Sequence, residues 1–491
     1  MMQRRKMMYH EHPLRILKYS VKYIWLLIFP LLRGIRSFSL DVNAAYSWIK
    51  GAWFDIMVIG LIIIFGLIRW YCSRITITDG AIIHTDGLFF RVRRTIPYSN
   101  LSSVTIEKPF YLMPFGGMKI YCNTCAGIFQ STDMKLMVNR RVCSEFMRHV
   151  PRVDSKNGVR FRNKPRLSSV LLFSVFFSSS FSGAVYLAAF FFKGGDIARD
   201  MIAVSLERIT AETSKAALSL IRNIPDAAIG IGSFFLMTWF LSFSVNILRY
   251  AGFVIRSDWE RFEVRYGTFT KRDFIINADQ INYVDLRQNF VMKLFKAVTV
   301  NISCAGYGVT RSQLPVLFPI QKNFRLGEGL EHLGLNTGSK AEFRPSVTSI
   351  WQYIWSPVVV SAAISTAYRL IGYLFPQFSE LAFFVMIMAE IPSIWMILVK
   401  SAAAATSSIA VYDENIMIRC CRGFTFHTVI AERSRLVKMQ ITQTPFQRFF
   451  GKCTVSLSFN GEVSRRHSVK AIKVRDAAEL SRLLGHSLIC A

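Results

Sequence analysis

The strongest constraint on this chain is a set of six apolar stretches, at about 18–35, 52–70, 167–192, 226–250, 350–375 and 379–399. A helix needs roughly 20 apolar residues to cross the ~30 Å hydrocarbon layer of a bilayer, and these stretches meet or approach that length. The chain is 52% hydrophobic and 19% charged, yet its net charge is +29. A disordered chain would not carry 41 Phe, because such chains lack the apolar content to form a core. A soluble nucleic-acid binder would not hold uncharged runs of this length. Nine Cys in 491 residues are too few for a disulfide scaffold. What remains is a polytopic membrane protein with basic water-facing parts. The first stretch is the weakest, with Pro30 inside it and Lys22 and Arg33 leaving a short core. Arg4, Arg5 and Lys6 followed by Tyr23–Leu32 have the outline of a secretory signal. No small-x-small cleavage site follows and a second apolar run comes soon after, so a retained anchor is expected.

The stretches fall into three pairs. The segment between the third and fourth is near neutral, with Lys193, Arg199 and Arg208 set against Asp196, Asp200 and Glu207. The long segments after the second, fourth and sixth are strongly basic. Arg69, Arg74, Arg166, Arg249, Arg256, Arg344 and Lys400 flank the apolar stretches on that same side. The positive-inside bias therefore places the N-terminus and all three large segments in the cytoplasm of a multi-pass plasma-membrane protein. All nine Cys fall on that side or at its border, where reduced thiols are the default. The expected order is a tail and hairpin over 1–70, a domain over 71–165, a hairpin over 166–250 with an outer loop 193–225, a domain over 251–345, a hairpin over 346–400 and a domain over 401–491. Within the outer loop, 200–222 has the spacing of an amphipathic helix.

The three basic segments repeat one another. Asp79, Asp258 and Asp413 mark a first turn; Gly87, Gly267 and Gly423 follow; Ile96, Ile276 and Ile430 open an expected third strand; Phe115, Phe295 and Phe450 come next. Runs such as Arg74-Ile75-Thr76-Ile77-Thr78 alternate polar and apolar residues, and Asp79-Gly80, Asp86-Gly87 and Asn460-Gly461 are hairpin signals. Helical patterns close the segments at Arg140–His149, Lys322–Leu333 and Val474–Leu484. The fold class is thus membrane α-helical hairpins alternating with three small antiparallel β domains, each ending in a helix.

The order of a turn Asp, a Gly, then Ile96-Pro97-Tyr98-Ser99-Asn100 and Pro114-Phe115-Gly116-Gly117, all after an apolar pair, resembles the bacterial pleckstrin-homology-like (PH-like) membrane proteins, in the type that carries three such domains. The third segment keeps Phe450-Gly451, whereas the second has Phe295-Lys296. The resemblance implies a split β-barrel capped by a C-terminal helix and facing the cytoplasm. It implies no catalytic residues.

Three basic clusters are candidate contacts for lipid or partner: Arg91, Arg93 and Arg94; Arg261, Arg265, Lys271 and Arg272; and Arg465, Arg466 and Lys470. Near an anionic leaflet each cation gains about 1 kcal/mol; the plainer reading is a solvated positive face. Glu390 lies inside the sixth apolar stretch, two residues before Pro392. A carboxylate there costs a few kcal/mol unless paired, protonated or hydrated. It is read as an ion or proton site, a partner of Arg369, or a packing hydrogen bond. Cys122-Asn123-Thr124-Cys125 has no second ligand pair. No HExxH, nucleophile elbow, P-loop or dinucleotide fingerprint occurs. The expectation is a non-enzymatic scaffold without cofactor. Its expected partners are anionic inner-leaflet lipids and a second PH-like membrane protein, not nucleic acid. The alternative is a transporter, or an accessory to export or envelope defence, that uses Glu390.

Overall fold

The structure is a computed structural model. It describes residues 7–18, 20, 42–124, 132–151, 161–177, 226–307, 316–322, 341–376, 379–460 and 466–485, save 89, 259 and 413. The first repeat comprises β1 (Met7–His10), α1 (Val42–Cys72), β2 (Arg74–Ile77), β3 (Ala81–Asp86), β4 (Val92–Pro97), β5 (Leu101–Pro109), β6 (Gly117–Thr124), β7 (Met134–Asn139) and α2 (Arg140–His149). The second comprises β8 (Phe161–Asn163), α3 (Leu167–Phe177), α4 (Asp226–Tyr250), β9 (Val254–Ser257), β10 (Arg261–Tyr266), β11 (Thr270–Asn277), β12 (Ile281–Asn289), α5 (Phe290–Leu294), β13 (Ala297–Cys304) and β14 (Val316–Lys322). The third comprises β15 (Ala341–Phe343), α6 (Ile350–Leu374), α7 (Ser379–Thr406), β16 (Ser408–Val411), β17 (Asn415–Arg422), β18 (Thr425–Glu432), β19 (Leu436–Thr442), α8 (Pro445–Phe449), β20 (Lys452–Phe459), β21 (Arg466–Lys473) and α9 (Val474–Leu483).

Each repeat is two three-stranded sheets joined by a single 3-10 turn, at Tyr98–Asn100, Ala278–Gln280 and Arg433–Arg435. An edge strand precedes the apolar helices of every repeat (β1, β8 and β15), followed two or three residues later by Pro13, Pro165 or Pro345. The repeat therefore begins before its helices rather than after them. Ile96, Ile276 and Ile430 lie near the ends of β4, β11 and β18, not at their starts. Val92–Thr95 is itself strand and exposed at every position, so no alternation marks it. Gly87, Gly267 and Gly423 sit in the turns before these strands with φ of +121°, +105° and +58°, values that favour glycine.

Of the apolar stretches, 52–70 lies in α1 and 226–250 is α4; 350–375 and 379–399 form α6 and α7. Ile350–Leu374 and Val385–Thr406 are long and apolar enough to cross a membrane, and Met57–Cys72 is a shorter apolar helix. Most of 18–35, the outer loop 200–222, and the helix expected over Lys322–Leu333 beyond its first residue lie outside the described residues, and the third stretch is described only as far as Phe177. The run Ala402–Ala405, made of the best helix former, carries α7 past the expected end at 399 to Thr406.

The chain divides into two compact units. The first comprises Met1–Arg162, Ile255–Gln280 and Cys304–Thr310; the second comprises Asn163–Val254, Ile281–Ser303 and Arg311–Ala491. In the first, β2–β4 and β5–β7 wrap one core that includes Ile75, Ile82, Val104, Ile120 and Leu136, with Phe146 of α2 closing it. In the second, β16–β18 and β19–β21 wrap Ile409, Ile418, Val455 and Leu457, capped by Ala477 and Leu480 of α9. These are two antiparallel split barrels, each with a helical cap.

The barrels do not stop at their own edges. In the first unit β5 pairs antiparallel with β11, giving a seven-stranded sheet in the order β7-β6-β5-β11-β10-β9-β8. In the second unit β12 pairs with β18, giving the order β14-β13-β12-β18-β17-β16-β15. The second sheet of one repeat is thus continued by the first sheet of the next. A solitary barrel would leave β5 and β18 as open edges, a standing risk of mispairing; here they are interior strands. Burial follows: Leu101 to Ile106 are all buried, although Ser102, Ser103 and Thr105 are polar. Ser103 Oγ donates to Ala305 O at 2.5 Å, which satisfies a hydroxyl that burial would otherwise penalise.

Candidate functional site

Both seams carry ion pairs. Across β5–β11, Arg272 Nε donates to Glu107 Oε1 at 2.9 Å, and Lys108 Nζ lies 3.4 Å from Asp273. Arg265 Nε meets the other Asp273 oxygen at 2.6 Å. Arg261 lies 3.6 Å from Glu260. The second basic cluster is therefore largely neutralised by carboxylates, and of its four members Lys271 alone is in no ion pair among the described residues. It lies opposite Lys108. Arg91 and Arg93 are exposed at the β3–β4 turn beside Phe90, which is 87% exposed. Arg94 instead turns back, and its Nη1 donates to Asp133 O at 3.4 Å. Arg466 donates to Gln440 Oε1. Arg465 lies outside the described residues.

Beneath the β3–β4 turn is a buried network at the base of α1. Trp70 Nε1 donates to Glu11 O at 2.8 Å, and Glu11 pairs with Arg15. Ser73 Oγ donates to Glu11 Oε2 at 2.9 Å and lies 3.2 Å from His84 Nε2. The serine has one proton, so when it is given to Glu11, His84 Nε2–H must donate to the serine oxygen. Burial first, and then the Arg15 guanidinium, pull His84 down from 6.5 to about 4. A depressed histidine destabilises the fold only where the unfolded chain takes up the proton first. Stability should be unaffected above about pH 6.5 and fall between there and pH 4, by about 3 kcal/mol in all. Hydrogen exchange in β2 and β3 at pH 7 and pH 5 reads this directly; equal protection at both would contradict it.

In the second unit the seam holds Asp285, 3% exposed, on β12. His427 Nδ1 lies 3.0 Å from its Oδ1, and Arg287 Nε donates to Oδ2 at 2.7 Å. Burial alone would raise this carboxyl. The His427 hydrogen bond and the Arg287 charge outweigh it and hold the group well below the usual carboxylate range. Next to this triad is a cleft of about 320 Å³, lined by Lys293, Arg344, Arg419, Glu342, His427 and the end of α7. Arg344 Nη2 donates to Glu342 Oε2 at 2.7 Å, and Arg419 Nη1 lies 3.5 Å from Oε1. The Arg344 hydrogen bond holds Glu342 below its ordinary value. Lys293 Nζ sits 4.3 Å from the centre of the Phe426 ring. Three cations and one carboxylate line the cleft, so it is positive and suited to a small anion. Of its residues only Arg344 was named from sequence, as a cation flanking an apolar stretch and not as part of a site; the available signal was the polar Asp285, Arg287 and His427 among the buried positions of β12 and β18.

The membrane-length hairpin is tied to this unit. Tyr353 Oη donates to Lys470 O at 3.0 Å. Val399 and Ala403 of α7 are fully buried with Phe426 and Ala471. Burial and the nearby Lys400 ammonium pull the Lys470 side chain down from its ordinary value. Glu390 accepts from Ser361 Oγ at 2.7 Å and from Ser365 Oγ at 3.0 Å. Among the described residues no ion pair joins it to Arg369, which is exposed on α6. Ser361, Ser365 and Arg369 stand at four-residue spacing, and the two short hydroxyls reach the carboxylate first.

Cys122 is fully buried, and burial pushes its thiol up to about 12; Cys420 is raised likewise to about 12. Neither is a reactive thiolate, and Cys125 lies outside the described residues.

No curated protein and no solved structure is significantly similar to the chain. A family model for the bacterial PH domain matches it three times, over residues 26–152, 216–325 and 359–488. The matches cover well over half the chain, and each takes in one repeat's paired three-stranded sheets. The chain is a member of the bacterial PH domain family, with three copies of the domain in tandem.

Proposed function

We propose that the chain is a membrane-anchored, non-enzymatic scaffold. Its apolar hairpins hold seam-joined PH-like sheets against the cytoplasmic leaflet of the plasma membrane, where their basic surface meets anionic lipid or a second PH-like membrane protein. The observation that carries this reading is the union of α6 and α7 with the third β domain through Tyr353, Val399 and Ala403. A module fixed to its anchor stays at the membrane surface, so weak contacts there are populated. The positive cleft at Lys293, Arg344 and Arg419 is matched to a phosphate-bearing headgroup. The full chain, solubilised gently and analysed by lipid mass spectrometry, should retain anionic phospholipid above its share of the source membrane. Retention at bulk composition, with no co-purifying protein, would overturn the reading.

The transporter alternative rests on Glu390. Two serine donors on the neighbouring helix suit a clamp between helices, of the kind worth about 1 kcal/mol. Glu390→Gln should then leave thermal stability in detergent nearly unchanged, and Glu390→Ala should lower it by about that amount. A proton-coupled flux through the wild-type chain that Glu390→Gln abolishes would favour transport instead.

A further inference from the structure

In every repeat the first turn of the second three-stranded sheet presents exposed apolar side chains. In the first unit these are Phe110, Tyr111 and Phe115, between β5 and β6. In the second unit Leu294 and Phe295 follow β12, and Phe446, Phe449 and Phe450 follow β19. The recurring Phe115, Phe295 and Phe450 each precede a left-handed residue: Gly116 at φ +67°, Lys296 at +50° and Gly451 at +61°. The turn is thus preserved even where lysine replaces glycine, a conformation few non-glycine residues adopt.

These turns are built and held, not loose. Thr444 and Gln447 form a capping box on α8, an arrangement that satisfies two free backbone donors. Gln447 Nε2 also donates to Gln352 Oε1 at 3.1 Å. Lys452 Nζ donates to Ser349 Oγ at 2.7 Å. Phe449, 85% exposed, is therefore fixed beside the first turns of α6, where Trp351 and Trp355 are also exposed. On the other side of the hairpin, Phe290 of α5 packs on Trp395 of α7 with ring centroids 5.3 Å apart, leaving Leu294 75% exposed. In the first unit His12 lies 3.0 Å from Phe115 O. His12 Nδ1 accepts from Leu14 N–H, so its Nε2–H is the donor to Phe115. This ties the turn to the segment that meets the base of α1.

Tryptophans at the ends of apolar helices mark the boundary between hydrocarbon and headgroups. The exposed phenylalanines stand at the same end of the helices, flanked by Arg448 and Lys452. An apolar tip with a cationic rim suits insertion at that boundary. Building on the membrane reading above, we infer that these turns are wedges: Phe446, Phe449 and Phe450, with Leu294 and Phe295, enter the leaflet and lock the β domains to its surface. The occupant of this apolar surface is the acyl-chain layer just below anionic headgroups.

The full chain in nanodiscs of phosphatidylethanolamine and phosphatidylglycerol, doped with a phospholipid bearing a diazirine high on its acyl chain, tests this. After irradiation, peptide mass spectrometry should find adducts on 445–452 and 290–297 at levels comparable with those on α6 and α7. Phe449→Ser should lose the first adduct while Cys420 stays protected from alkylation, a sign that the domain remains folded. Adducts on α6 and α7 without adducts on the turns would overturn the inference and leave the membrane reading standing. No adducts on any of them would overturn both. Cross-links from the turns to a second copy of the chain, in place of lipid, would also overturn the inference.

Discussion

Asp285→Asn should cost the second unit about 3–5 kcal/mol, because it leaves the largely buried Arg287 guanidinium without its countercharge and takes away the carboxylate that His427 faces. Asp285 is 3% exposed, and its two oxygens face His427 and Arg287. An isosteric amide keeps the shape and removes the charge, so a loss of this size reports electrostatics rather than a cavity. Replacing all three side chains together, with Asp285→Leu, Arg287→Leu and His427→Phe, should cost less than Asp285→Asn alone, since apolar packing often replaces a buried ionic cluster without loss. Thermal unfolding in detergent, followed by alkylation of the buried Cys420 thiol, orders the two variants. A triple variant weaker than the single one would show that the triad is worth more than its burial costs. The same arrangement predicts acid sensitivity of a definite sign. A depressed carboxyl stabilises above its unfolded value near pH 4 and loses that contribution as pH falls below it.

Gly306→Ala should be nearly as damaging in the first unit, at about 3 kcal/mol. Gly306 has φ +79°, a region that costs an alanine roughly 1–2 kcal/mol. A Cβ there would also overlap the Asn123 side chain, which is 1% exposed. The preceding carbonyl, Ala305 O, satisfies Ser103, and Tyr307 packs edge-on against Phe274 with centroids 4.9 Å apart. Displacing this hook should unlock the β5–β11 seam, seen as faster alkylation of Cys304 and Cys122. Wild-type alkylation rates in the variant would contradict the close fit.

The helices and the threefold repeat were legible in the sequence because both rest on local pattern. Apolar length marks α6 and α7, and the spacing from turn Asp to Gly to Phe marks each repeat. The seams were not legible, because strand pairing between repeats is a long-range choice that no period-two pattern announces. The signs were present in retrospect. Ser102, Ser103 and Thr105 sit in a strand buried at every position from Leu101 to Ile106. Arg272 and Glu107, 165 residues apart, are direct cross-strand partners. The carboxylate that Arg272 meets was hidden for the same reason, since Glu107 lies on a strand that becomes its neighbour only in the folded chain, whereas Asp273 faces Arg265 within the local β10–β11 hairpin. Glu390 was visible as an anomaly, but its serine partners were not, since Ser361 and Ser365 are unremarkable in an apolar helix.

The central claim is that the second sheets of the first and second repeats are each continued by the first sheet of the repeat that follows. Hydrogen exchange on the full chain tests it most directly, because a strand in mid-sheet is protected on both sides and an edge strand on one. The amides of β5, β11, β12 and β18 should exchange as slowly as those of β6 and β17, which lie inside a single three-stranded sheet in any arrangement. Exchange on these four strands at the rate of an open edge, with β6 and β17 still slow, would show three separate barrels and contradict the account.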